Sequence, residues 1–154
     1  MSSILTDASI LITGGTGTAG HAFVKRALQD GAHRIVVLSR DEYKQSVMRH
    51  QFGDSRLRFF LGDVRDRERL RVAFQGVDYV IHAAALKQIP AGEYNPYEFV
   101  KTNVLGTENV LSAAAEVGVK KVLLLSSDKA AAPVTLYGST KSVAEHLIRA
   151  GQSY

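Results

Sequence analysis

Five short apolar runs recur along the 154-residue chain, at residues 10–13, 34–38, 57–61, 79–82 and 121–125. Each is apolar nearly throughout instead of alternating with polar residues, which predicts strands covered on both faces of a parallel sheet. The segments between them carry helical spacing. Residues 20–30 place Phe23, Val24, Ala27 and Leu28 on one face and stop at Gly31, and residues 66–75 stop at Gly76. The longest stretch, 98–117, predicts one helix with Val100, Val104, Val110, Leu111 and Ala114 inward, Gly106 at a close-packing point and Gly118 at its end. A last helix follows Pro133 over about residues 139–150. Strands alternating with helices of this length imply right-handed crossovers and a doubly wound α/β sheet in a single domain.

Composition narrows the class. With 45% hydrophobic and 22% charged residues the chain is of ordinary globular make-up, which excludes disordered and collagen-like classes. Cysteine is absent, so disulfides, thiolate metal sites and cysteine nucleophiles are excluded. No run approaches the roughly 18 apolar residues of a membrane span. The opening Met-Ser-Ser with Asp7 soon after has neither a basic start nor a long apolar stretch, so no signal peptide is expected and a cytoplasmic location is. The net charge of +4 lies within residues 1–75. Its densest run, Arg65, Arg67, Arg69 and Arg71, is interleaved with Asp66 and Glu68, which predicts a solvated helix face and no nucleic-acid partner. His21, His33, His50, His82 and His146 are scattered without metal-ligand spacing and receive no role.

Thr13-Gly14-Gly15-Thr16-Gly17-Thr18-Ala19-Gly20 sits where the first strand ends and the first helix begins. There the glycines give a tight turn and a bare backbone for a pyrophosphate, while Thr16 and the helix N-terminus offer N–H groups to the anion. Arg40 closes the second strand beside Ser39, where a planar guanidinium would meet the 2′-phosphate of NADP; NAD is the less favoured cofactor. Asp41 is accounted for as the N-cap of the following helix. Asp63 and Val64, after the third strand, are placed to border the adenine.

Tyr137 and Lys141 stand one helical turn apart on one face. A free phenol titrates near pH 10, roughly, and a fixed cation beside it favours the phenolate needed for base work near neutrality. The pair follows a fifth strand ending in Ser126-Ser127-Asp128-Lys129, at the sheet edge where open α/β folds bind ligands.

Through TGGTGTAG, GDV, HAAA and YxxxK the sequence resembles the extended short-chain dehydrogenase/reductases. More narrowly, residues 82–90, 93–96, 101–104, 127–130, Pro133 and 136–141 resemble the inverting UDP-N-acetylglucosamine 4,6-dehydratases of polysaccharide and flagellin-sugar synthesis. The discriminating part is Asp128-Lys129, eight residues before Tyr137. The resemblance implies a Rossmann-type sheet in strand order 3-2-1-4-5 over residues 1–154, lacking the family's C-terminal substrate lobe. It adds Ala83 and Ala84 to the cofactor contacts. It also implies a dehydration through a transient 4-ketone: Tyr137, held by Lys141, takes the 4-OH proton, Lys129 acts as base at C5, and Asp128 protonates the departing 6-OH. Ser127 would orient the sugar and Lys87 contact the substrate. Ser127, Gln88 and Ala132 stand where the family usually has Thr, His and Asn. An apolar face left bare by an absent second half predicts homo-oligomers. Two other readings stay open: a nucleotide-sugar epimerase or oxidoreductase, which needs only Tyr137, Lys141 and the serine, and a non-catalytic NADP-binding module.

Overall fold

In a computed structural model, which describes residues 3–151, one parallel sheet carries helices on both faces. Its strands are β1 (Ser9–Thr13), β2 (Arg34–Ser39), β3 (Leu57–Leu61), β4 (Tyr79–His82) and β5 (Lys121–Leu124). They lie in the order β3-β2-β1-β4-β5, all neighbours parallel. The strand order is the one expected, and the chain reverses direction of winding between β1 and β4.

The three inner strands are apolar on both faces because both are covered. Leu11, Val36 and Val80 point to one side, where they pack with Leu70, Phe74, Val110 and Ala113 of two helices. Ile10, Ile12, Ile35, Val37 and Ile81 point to the other, against Val24, Ala27 and Met48. Each fully buried Leu, Ile, Val, Met or Phe among them contributes about 1.5–3 kcal/mol relative to exposure. β3 and β5 depart from the expectation of full coverage. They are the sheet's edges, so Arg58, Leu61, Lys121 and Leu123 are exposed.

The helices are α1 (Thr18–Gln29), α2 (Glu42–Phe52), α3 (Arg67–Ala73), α4 (Ile89–Tyr94), α5 (Pro96–Phe99), α6 (Gly106–Val117) and α7 (Leu136–Ala150). Asp41 and Asp66 cap α2 and α3 by accepting from the backbone N–H of Lys44 and Arg69. Gly53 and Gly118 close α2 and α6 in left-handed conformations.

The single helix expected over 98–117 is instead α5, a π-helical turn over Val100–Leu105, and α6 in succession. At the junction Gly106 donates its N–H to Lys101 O, and a Cβ on Gly106 would lie 2.7 Å from Val64 Cγ2. The widened turn seats Thr102 and Asn103 inward, both buried, while Val100 and Val104 are only partly so. Such turns gather at functional sites. Helix α7 starts earlier than expected. Thr135 caps it by accepting from Gly138 N–H, which brings Tyr137 into its first turn.

Candidate active site

The glycine turn, the ends of β2 to β5 and the start of α7 enclose a cavity of about 670 Å3 along the carboxyl edge of the sheet. Three of the four glycines in the turn have a steric reason. Gly14 has φ +64°, and a Cβ there would lie 2.8 Å from the Ala84 backbone; one on Gly15 would lie 2.9 Å from Val37 Cγ1, and one on Gly20 would collide with Gly15 itself. The bare turn therefore lies directly against the segment after β4, with the N-terminus of α1 opening into the cavity.

Of the residues singled out from the sequence, Gly14, Thr16, Gly17, Gly20, Ser39, Arg40, Asp63, Val64, Ala83, Ala84, Lys87, Tyr137 and Lys141 all line this cavity. Ser127, Asp128 and Lys129 do not; they form the rim, where Asp128–Ala130 is a 3-10 turn. Its Lys129 carbonyl lies where a side chain on Gly138 would be, so the turn seats directly on the first turn of α7, beside Tyr137. Lys44, Thr102 and Ser126 also line the cavity and were missed. Lys44 was legible as the residue three after the Asp41 cap. Thr102 was hidden by the π turn, and its buried hydroxyl has no protein partner.

Electrostatics separate the groups. Lys141 is 3% exposed and donates from Nζ to Leu125 O at 2.6 Å. Burial lowers its pKa to about 8, opposed only by Glu145 one turn on. Ser126 donates its hydroxyl to that same Glu145. At the rim, the Ser127 hydroxyl at 3.1 Å and the Lys129 ammonium at 3.4 Å hold the Asp128 carboxyl below its ordinary range, so it stands ionised and largely in water. At the adenosine end Arg40 reaches Asp63 at only 3.5 Å and stays half exposed, while Arg65 takes Asp63 at 2.7 Å.

The run of arginines leading into and along α3 is committed internally. Arg65 pairs with Asp63 and Glu98, Arg67 with Glu116, and Arg71 with Glu68 and Glu116, while Arg69 lies over the Phe60 ring. Among the described residues there is no cluster that could hold a metal ion and no helix long and apolar enough to cross a membrane.

A 3-2-1-4-5 sheet with a glycine turn after β1 and a Tyr-Lys pair on the helix after β5 defines the extended short-chain dehydrogenase/reductase class. Comparison with known proteins narrows this: over residues 10–154 the chain matches, and belongs to, the family described as polysaccharide biosynthesis protein. It is 50% identical over 146 residues to a UDP-N-acetylglucosamine 4,6-dehydratase (inverting) of Campylobacter jejuni, covering 94% of this chain and 44% of that one. It is 47% identical over 148 residues to a UDP-glucose 4-epimerase of Rickettsia rickettsii, covering 94% and 43%. Among solved structures, the dTDP-glucose 4,6-dehydratase DesIV of Streptomyces venezuelae, with NAD bound, superposes with a TM-score of 0.87 at 28% identity, covering 94% of this chain and 52% of that one. The chain thus spans less than half the length of the curated relatives it matches.

Proposed function

We propose that this chain is the dinucleotide-binding part of a nucleotide-sugar 4,6-dehydratase that takes NADP and UDP-N-acetylglucosamine or a similar UDP-sugar. The observation that carries the reading is the seating of the Asp128–Ala130 turn on Gly138, which supports a carboxyl and an amine working beside the helix that carries Tyr137. A 4,6-dehydration needs three separate proton transfers, and a 4-epimerisation does not need the first two of these groups.

The residues present fit a dinucleotide. The glycine turn leaves the space that side chains would fill, and Thr102, which lines the cavity, keeps a buried hydroxyl without a protein partner. The glycine turn and the N-terminus of α1 would hold the pyrophosphate, Asp63 and Val64 the adenine, and Ala83, Ala84, Tyr137 and Lys141 the nicotinamide end. Arg40, with Lys44 beside it, supports NADP over NAD, because its guanidinium is free enough to leave Asp63 for a 2′-phosphate. When bound, the cofactor supplies a reversible hydride acceptor.

Tyr137 takes the proton of the sugar 4-OH, with Lys141 as its neighbouring cation. Lys129 removes the proton at C5, acidified by the 4-ketone, and Asp128 gives a proton to the departing 6-OH. For that last step Asp128 must first be protonated, so substrate has to draw it away from Ser127 and Lys129 and out of water. Ser127 orients the sugar, and Lys87, which lines the cavity, contacts the substrate.

A second reading, nucleotide-sugar 4-epimerase, is favoured by the 47% identity to the Rickettsia enzyme so named. Incubating the purified chain with NADP and UDP-N-acetylglucosamine, with products read by mass, tests both. A product lighter by one water, lost in Asp128→Asn and in Lys129→Ala, is the expected result. A product of unchanged mass and altered configuration, formed equally by both variants, establishes the epimerase instead. Binding without turnover leaves a cofactor module.

A further inference from the structure

His82, at the end of β4, is 1% exposed and lies outside the cavity lining, yet both of its ring nitrogens are engaged. Nδ1 lies 2.7 Å from Thr13 Oγ1 and Nε2 lies 3.0 Å from Thr107 Oγ1. The directions of these bonds follow from their neighbours. Thr107 donates its one hydroxyl proton to the Asn103 carbonyl at 2.7 Å, so its oxygen accepts from Nε2–H. A neutral ring then has a bare Nδ1, which accepts the Thr13 hydroxyl proton. Thr13 Oγ1 in turn accepts from Ala84 N–H at 3.2 Å, in the segment that faces the glycine turn.

The chain of bonds continues past the π turn. The Asn103 side chain accepts from Leu86 N and donates to Leu86 O, each at 2.8 Å, and donates to Thr140 Oγ1 at 3.0 Å. Thr140 passes its proton to the Tyr137 carbonyl at 2.8 Å. One buried polar thread therefore runs from Ala84, on the cavity wall, to the backbone of Tyr137.

We infer that His82, fixed as its neutral Nε2–H tautomer, is a positioning residue that ties the cofactor wall after β4 to the helix carrying Tyr137 and Lys141. This rests on the dinucleotide reading above. The ring is held so because the reverse tautomer would turn a bare Nε2 to the lone pairs of the Thr107 oxygen and leave the Thr13 hydroxyl proton without its acceptor. Protonation is opposed in the same way, and burial beside Lys141 lowers its pKa to about 3. Lys141 on α7 is the charged group that faces it.

The experiment has two readouts on the full chain. Nitrogen-15 NMR of the unliganded protein should show the His82 Nδ1 resonance as unprotonated, unchanged from about pH 5 to 9; a protonated Nδ1 overturns the inference whether or not any cofactor binds. Thr107→Val keeps the shape but cuts the thread at a residue that does not line the cavity. It should weaken NADP binding about tenfold by calorimetry, because the wall after β4 is no longer tied to the helix carrying Tyr137 and binding must order it, with Thr107→Ser restoring it. Affinity within twofold of the parent, or an equal loss in Thr107→Ser, overturns the inference. Failure of the unaltered chain to bind either dinucleotide refutes the dinucleotide reading and leaves the tautomer measurement to decide the thread.

Discussion

Lys141→Met removes a cation that the fold keeps at 3% exposure. The fall of its pKa from 10.5 to about 8 means that the folded protein holds this proton less tightly than the unfolded chain does. Below about pH 8 the lysine is charged in both states and its burial costs the fold about 3 kcal/mol. Between about 8 and 10.5 the unfolded state binds more protons, so this cost fades as pH rises. By about pH 9.5 some 2 kcal/mol of it is recovered. Urea unfolding of the parent and of Lys141→Met at several pH values isolates the effect, since other titrations cancel in the difference. The parent should gain about 2 kcal/mol on the variant from pH 7 to about 9.5. At pH 7 the variant should be the more stable, although orphaning the Leu125 carbonyl returns about 1–3 kcal/mol of that gain. A difference that stays flat with pH would refute the argument, because it would mean that Lys141 is solvated in the folded state. Turnover, if dehydration is observed, should fall on the alkaline side as this cation is lost.

Two further outcomes follow from local geometry. Arg40→Ala should weaken NADP binding about tenfold while leaving NAD within twofold, measured by calorimetry, because the guanidinium meets only the extra phosphate; equal losses would place Arg40 on a part common to both. Ala132 has φ +48°, a left-handed conformation costly for any residue with a Cβ. Ala132→Gly should therefore raise stability by about 0.5–1 kcal/mol in urea, the relief exceeding the added freedom of the unfolded chain, and a loss of stability would show the loop to be unstrained.

The five strands and their order were legible because apolar runs of four to six residues bounded by glycines leave little choice in an α/β chain. The cavity wall was legible for a related reason: glycines, Arg40, Tyr137 and Lys141 announce their chemistry by type and spacing. What escaped was the polar interior. His82, Asn103 and Thr107 are buried for the bonds they make with residues far away in sequence, and no periodicity carries that information. The helix over 98–117 looked continuous because a π turn uses the same residue types as an α turn, and only the backbone bond from Gly106 to Lys101 reveals it. The edge character of β3 and β5 was likewise invisible, since an edge is a property of the neighbours a strand lacks.

The π turn holds one residue more than an α-helix needs to join the same two flanks. Removing one residue between 100 and 105 would let an ordinary α-helix form, at no cost in local bonding. Val110, Ala113 and Ala114 would keep their grip on the sheet, and the segment before the deletion would keep its phase, because five residues of α-helix sweep nearly the angle that the six of the π turn do. Phe99 would keep its seat against Gly92, whereas Thr102 and Asn103, inside the turn, would lose the inward placing that the extra residue gives them. A chain shortened there by a single residue would keep its sheet and the packing on both sides of the turn, and would lose the inward placing of Thr102 at the cavity and of Asn103 beneath it.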